Sequence, residues 1–272
     1  MNHRLFICRS IAVLAIGMAS ACYGDATNVS ETLKHLPAAV QQRIRTHLAK
    51  GRLRSIDVEN ENGDITYDVE MVGIGGRARS FTVGAAGELL DKELFLNELP
   101  MPVRQAVKKK AGTATIGEIN RSYEKGENIY DIEIVADGKT RSFTLDAKGE
   151  LMEEEVFLSE LPDALQTAIR KETAGKPVDE ITRNFDDGEI SYDVDIVANQ
   201  KTRTFTFDAA GAMVSQQEDV ALTEVPEAAQ KQIRSFAATG KVLTIQKVTE
   251  TNTISFDVDT RQDGKLKSYS IT

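Results

Sequence analysis

Eight carboxylates recur at matched places along the chain: Asp68 and Glu70, Asp131 and Glu133, Asp193 and Asp195, and Asp257 and Asp259. Each pair alternates with apolar or aromatic residues, as in Tyr130-Asp131-Ile132-Glu133-Ile134. In a strand, both acids of a pair therefore project from one face and the apolar residues from the other. A little downstream, Ser80 and Thr82, Ser142 and Thr144, Thr204 and Thr206, and Ser268 and Ser270 hold the same outward parity.

Three readings suit such a face. It is the wetted side of an antiparallel sheet, a platform for a protein partner carrying spaced Lys or Arg side chains, or a cation site. Calcium is the weakest of the three, since it needs about six or more converging oxygens and alternating strand carboxylates diverge. The eight acids are the candidate partner-binding residues.

Catalytic chemistry has little support. Beyond the first 21 residues the histidines are His35 and His47, with no Cys-His or His-His metal spacing and no Gly-rich phosphate loop after a strand. Neither an enzyme nor a cofactor is expected. His47 sits near Ile44 and Leu48 and reads as a helix-edge residue rather than a ligand.

The elements that position the acids repeat. Pro37, Pro100, Pro162 and Pro226 are spaced 63, 62 and 64 residues apart, and Tyr67, Tyr130, Tyr192 and Phe256 keep the same intervals. Phe81, Phe143, Phe205 and Tyr269 form a second series, with Gly87, Gly149 and Gly211 six residues beyond its first three members. A fixed period marks one supersecondary unit written several times.

Each copy opens on an aliphatic-proline pair, suited to a first helical turn, with Asn97, Ser159 and Thr223 upstream as candidate caps. Val40 and Ile44, Val103 and Val107, Leu165 and Ile169, and Ala229 and Ile233 then recur one turn apart, predicting a short amphipathic helix. Gly51, Gly112, Gly175 and Gly240 are expected to end these helices. Beyond them the period changes to two, with turn signals such as Asn62-Gly63, Asp137-Gly138 and Asp187-Gly188, predicting an antiparallel meander.

The expectation is an α+β protein of four tandem modules, each one short helix packed on an antiparallel meander sheet. Their bounds are 34–97, 98–159, 160–223 and 224–272, the last lacking its final strand. Units of about 62 residues make marginal cores alone, so neighbours are expected to pack together or continue each other's sheets. Arg79, Arg141, Arg203 and Lys267 stand two residues before the second aromatic series. They are expected to lay their stems over the core edge and pair with carboxylates, while Lys108-Lys109-Lys110 reads as a solvated helix face.

The amino terminus has a basic start at Arg4 and Arg9, an apolar run from Ile11 to Met18, and Ala19-Ser20-Ala21. This is the layout of a secretory signal over residues 1–21. Its apolar run is shorter than the about 20 residues a spanning helix needs. Export to the periplasm or beyond is expected, with a lipid on Cys22 as the one route to a membrane. Removing the signal takes away Arg4 and Arg9 and no acid, so the net charge moves from -9 to -11. Nucleic acid is excluded as a partner by that charge. Cys22 would be the single remaining cysteine, so no internal disulfide can form.

Leu-Pro, a short helix, Gly-Glu-Ile, Tyr-Asp-Ile-Glu-Ile and Lys-Thr-Arg-Ser-Phe-Thr-Leu-Asp-Ala-Lys-Gly-Glu-Leu together resemble the PepSY-like family, in its β-lactamase-inhibitor-like branch. The resemblance spans nearly all of residues 34–272 as four copies. It implies exported bacterial proteins of helix-plus-antiparallel-sheet units that bind or inhibit periplasmic or cell-wall enzymes, peptidases included. The chain departs from the branch in lacking internal disulfides and inhibitory loops. What carries over is fold, export and non-catalytic protein binding. The alternatives are a small-molecule or cation-binding envelope protein, or one with a purely structural or stress role.

Overall fold

A computed structural model describes residues 26–48, 51–61, 64–73, 75–124, 126–198, 201–236, 240–251, 253–262 and 265–272. The expected signal, Cys22, and the turns at Asn62-Gly63, Asn199-Gln200 and Asp263-Gly264 lie outside the described residues. Two helices come first, α1 (Ala26–His35) and α2 (Ala38–Leu48), then strands β1 (Arg52–Glu61), β2 (Asp64–Val72), β3 (Ala78–Gly84) and β4 (Leu89–Glu93). The order helix then four strands follows twice more, in α3 (Met101–Ala111) with β5 (Thr115–Glu124), β6 (Glu127–Ala136), β7 (Lys139–Leu145) and β8 (Leu151–Glu155), and in α4 (Asp163–Glu172) with β9 (Glu180–Asp186), β10 (Glu189–Ala198), β11 (Lys201–Asp208) and β12 (Met213–Asp219). Helix α5 (Glu227–Phe236) precedes β13 (Gly240–Glu250), β14 (Thr253–Gln262) and β15 (Lys265–Ile271). Among the described residues no helix is long and apolar enough to cross a membrane.

The fifteen described strands form one antiparallel sheet in sequence order. Its continuity rests on β4–β5, β8–β9 and β12–β13, where the strand after one helix pairs with the strand before it. Backbone bonds from Leu94 to Ile119, Val156 to Ile181 and Val220 to Ile245, at 2.8, 2.9 and 2.9 Å, carry each pairing one residue further.

Parity decides what the sheet buries. Tyr67, Tyr130, Tyr192 and Phe256 face the helices and are buried, as are Phe81, Phe143 and Phe205. Four separate apolar clusters result, each built on one of the Pro-initiated helices: Val40 and Ile44, Val103 and Val107, Leu165 and Ile169, and Ala229 and Ile233 all lie within them. Burying one such Val, Leu, Ile or Phe side chain stabilises by about 1.5–3 kcal/mol. The first cluster also receives Leu33 of α1, a helix that the Pro-based repeat does not predict because it precedes the first Leu-Pro pair.

Three short 3-10 turns, Leu96–Glu98, Leu158–Glu160 and Leu222–Glu224, lead into α3, α4 and α5. Asn97, Ser159 and Thr223 are in the middle of these turns and cap nothing; Pro100 and Pro162 occupy the cap position without a side-chain bond. The acid next along does the capping, with Glu98, Glu160 and Glu224 accepting the backbone N–H of Phe95, Phe157 and Ala221 at 2.8, 2.9 and 2.7 Å. Gly112 and Gly175 follow α3 and α4 with positive φ as expected, but Gly240 opens β13. Gly51 is not in the left-handed region; a Cβ there would meet the Met71 methyl at 2.5 Å and the Leu48 and Val72 carbonyls at 3.0 Å.

Gly87 and Gly149 serve two constraints, and Gly211 the first of them. Each has φ between 82° and 85°, and each passes under the first turn of a helix. A Cβ would lie 2.8 Å from the Ala39 carbonyl, 2.9 Å from that of Pro102, or 3.4 Å from the Leu165 Cα. In two of the turns Asp146 and Asp208 accept backbone N–H groups at 2.7 to 2.9 Å. Gly149→Ala meets both a left-handed backbone and a backbone clash and should cost about 2–3 kcal/mol. Gly138→Ala, at φ 73° with open space around it, should cost about 1–2 kcal/mol. Urea denaturation of the two variants checks the order.

Candidate functional site

The strand registers place every candidate acid directly opposite a hydroxyl. Asp68 faces Thr82, Asp131 faces Thr144, Asp193 faces Thr206 and Asp257 faces Ser270. The second member of each pair does likewise, Glu70 with Ser80, Glu133 with Ser142, Asp195 with Thr204 and Asp259 with Ser268. Five of these oppositions are closed by hydrogen bonds, in which Thr82, Thr144, Thr206, Thr204 and Ser268 donate to their acids at 2.6, 2.8, 2.6, 2.6 and 2.6 Å. Bonds this short to a carboxylate are charge-assisted. Asn184 adds a 2.7 Å bond to the second oxygen of Asp193, and Arg54 approaches Glu70 at 3.5 Å.

Sheet continuation brings further acids onto the same face. Asp91 of β4 opposes Ser122, Glu93 opposes Asn120, and Asn120 in turn opposes Asp131. Glu155 of β8 opposes Thr182, which opposes Asp193, and Glu180 opposes Asp195. The side chains of Glu93 and Glu155 fold back to accept the Ser80 and Ser142 N–H groups at 2.9 and 3.2 Å. These acids were not among the sequence candidates, although Asp91-Lys92-Glu93 and Glu153-Glu154-Glu155 stand in equivalent fourth strands. Their parity is set within each meander, Asp91 opposing Thr82 and Glu180 opposing Asp195, so the alternation along those strands is the signal that could have found them; which acids meet across a junction has no such local signal.

Crowding has an electrostatic result. The Asp91 carboxyl is pushed up to about 6, first by burial, then by Asp131 and Glu118. Glu180 is pushed up to about 6 by burial, then by Glu155 and Asp195. Burial also raises Glu93 and Glu155, with their backbone hydrogen bonds opposing it. Among the described residues, no three or more acids, histidines or cysteines are placed to hold a metal ion.

The basic series lies on the other face. Arg79 pairs with Glu98 at 3.1 Å, Arg141 with Glu160 at 2.7 Å and Arg203 with Glu218 at 2.6 Å. Arg79 and Arg141 also cover the rings of Phe95 and Phe157 at 4.4 and 4.2 Å, a cation–π contact. Lys110 is not wholly solvated, since it pairs with the buried Glu154.

The sign of the pH dependence follows from the raised carboxyls. A folded-state pKa above the unfolded value favours the neutral form on folding, so the contribution is complete below the unfolded pKa and is lost as pH rises through the folded one. For Asp91 that window runs from its ordinary 3.8 to about 6. Asp91→Asn should raise the melting temperature at neutral pH and flatten its decline between about pH 4 and pH 7. Thermal melts across that range check it.

Three solved structures cover somewhat under half of the chain. A BLIP-like protein from Bacteroides fragilis NCTC 9343 is 20% identical, with 44% of this chain and 86% of that chain covered and a TM-score of 0.34. A periplasmic protein from Bacteroides eggerthii DSM 20697, so described in its name, is 22% identical over 48% and 94%, with a TM-score of 0.35. A protein from Bacteroides thetaiotaomicron named as calcium-regulated and periplasmic is 14% identical over 46% and 95%, with a TM-score of 0.31. No curated protein matches the chain. Over residues 136–213 and again over residues 190–270, the sequence matches the family described as "Putative beta-lactamase-inhibitor-like, PepSY-like".

Proposed function

We propose that the chain is an exported, non-catalytic binding or inhibitor-like protein of the bacterial cell envelope. On this reading it consists of four PepSY-like copies, at 34–97, 98–159, 160–223 and 224–272, and engages a protein partner through the acidic face of its sheet. The observation that carries the reading is the register: acids and hydroxyls oppose each other repeatedly, and the acids crowd where repeats meet.

A solely wetted face gains nothing from such crowding. Burial, followed by the charges of Asp131 and Glu118, raises the Asp91 carboxyl, and burial, followed by Glu155 and Asp195, raises that of Glu180. A partner supplying Lys or Arg to these places would relieve that repulsion and favour the ionised carboxylates. The hydroxyls meanwhile hold carboxylates in fixed rotamers, which lowers the entropy lost on binding. The family match over residues 136–270 supports an inhibitor-like role, and the amino-terminal layout supports export.

Changing Asp131, Asp193 and Asp195 to Asn and Glu133 to Gln keeps shape and removes charge. The variant should fold with an unchanged far-ultraviolet spectrum and release a partner captured by the natural chain from envelope extract. Capture should also weaken with added salt and on acidification below about pH 6, as Asp91 and Glu180 take up protons. Capture that is indifferent to all four substitutions rejects the acidic face as the binding surface.

A further inference from the structure

Where the sheet passes from one helix-and-meander set to the next, one charged residue pair faces the helix-covered side. The three pairs are Lys92 opposite Arg121, Glu154 opposite Arg183, and Glu218 opposite Lys247. Directly opposed side chains have Cβ atoms about 4.5–5.5 Å apart. The second and third pairs combine opposite charges; the first sets two cations together.

The neighbours sharpen the difference. Glu154, 7% exposed, accepts Arg183 Nε at 2.8 Å and also bonds Lys110 of the overlying helix. Glu218 accepts Arg203 and Lys247 at 2.6 and 3.3 Å. Ten residues beyond Pro37 and Pro226, His47 leans on Phe81 at 5.3 Å and Phe236 on Tyr269 at 4.1 Å. Lys110 holds that place at the second junction. One junction thus brings together Lys110, Glu154 and Arg183, while the first brings together His47, Lys92 and Arg121 with no acid at the position of Glu154.

His47 Nε2 is buried without a hydrogen-bond partner, and a buried polar atom left unsatisfied is uncommon. No hydrogen bond or ion pair joins Lys92 or Arg121 to a described carboxylate. Asp91, beside Lys92 in β4, acts on Arg121 from the open face of the sheet without an ion pair; the charged groups on the helix side are tied elsewhere. Arg43 donates to the Gly87 carbonyl at 2.7 Å. Glu98, the carboxylate that acts on Lys92, already takes Arg79 and the Phe95 N–H. Burial, followed by Lys92, Arg43 and Arg121, holds the His47 imidazole below its usual range, and burial, followed by Arg79, lowers Lys92.

We infer that the β4–β5 junction is an oxyanion site, where a guest carboxylate or phosphate takes the position that Glu154 fills one junction further on. Lys92 and Arg121 are its charge partners, and His47 Nε2 donates when protonated. The guest is compact, because the place it fills is that of one side-chain carboxylate. It arrives either as free phosphate or as a Glu or Asp side chain of another protein.

Imidazole resonances of the full chain, followed by NMR while adding either inorganic phosphate or N-acetylglutamate amide, test this. His47 should shift saturably and its titration should move upward, since an anion favours the imidazolium, whereas exposed His35 serves as the internal control. A response to phosphate alone supports a free anion as guest; a response to both supports a protein carboxylate as well. Lys92→Gln and Arg121→Gln should each remove the saturable shift. Lys92→Glu installs the acid of the second junction, so it should abolish the shift and raise the melting temperature. The inference is overturned if neither probe gives a saturable His47 shift, if the shift survives both Gln variants, or if Lys92→Glu keeps the shift without raising the melting temperature.

Discussion

Everything in this molecule depends on backbone pairing between β4 and β5, β8 and β9, and β12 and β13. A four-stranded meander under one short helix leaves two rows of unpaired N–H and C=O groups, and each such edge is a template for uncontrolled association. Joining the last strand of one set to the first strand of the next satisfies both edges with the partner that is always at hand. The chain can meet this condition only if the helix crosses the sheet in a short connection, and a Leu-x-Glu turn followed by Leu-Pro or Val-Pro supplies it. Glu98, Glu160 and Glu224 fold back onto the start of that turn, and the proline then directs the chain into the helix.

The same pairing explains why the charged features sit where they do. Within a meander, side chains on the polar face alternate acid and hydroxyl, and Thr82, Thr144 and Thr206 neutralise part of the cost by donating to the acid opposite. At a junction the neighbour is chosen by the next helix-and-meander set. Acids of a fourth strand then meet acids carried by the following meander, as Asp91 meets Asp131 and Glu155 meets Glu180. On the helix side the same geometry matches Glu154 to Arg183 but Lys92 to Arg121.

Much of the fold was legible because periodicity is a property of short windows. The spacing of Pro37, Pro100, Pro162 and Pro226, the alternation around Tyr130, and the Asp-Gly turns at 137–138 and 187–188 all report local conformation, and the backbone of both turn residues is left-handed in each case. The eight acids were legible for the same reason. Helix α1 escaped because nothing equivalent precedes the later helices. Asp91, Glu93, Glu155 and Glu180 take their parity from their own meander, as Thr82 opposite Asp91 and Asp195 opposite Glu180 show; what escaped is their crowding across a junction, which is a long-range pairing choice. Asn97, Ser159 and Thr223 have the right chemistry for caps, but they stand inside a 3-10 turn whose own start is capped by the neighbouring glutamate.

A sheet whose only task is to hold itself together has no use for mismatched junctions. Compensation is within reach of this scaffold, since Glu154 with Lys110 and Arg183, and Glu218 with Arg203 and Lys247, supply it at two junctions. One acidic side chain at position 92 would extend it to the first. Departures from local consistency cost stability, and natural proteins concentrate them where a function needs them. The acidic crowding is on the open side of the sheet and the basic cluster is under the helix, so one molecule presents opposite fields on its two faces at the same strand junction. Selection for stability alone would erase both, and a partner or ligand that supplies the missing charge gives each a physical reason to persist.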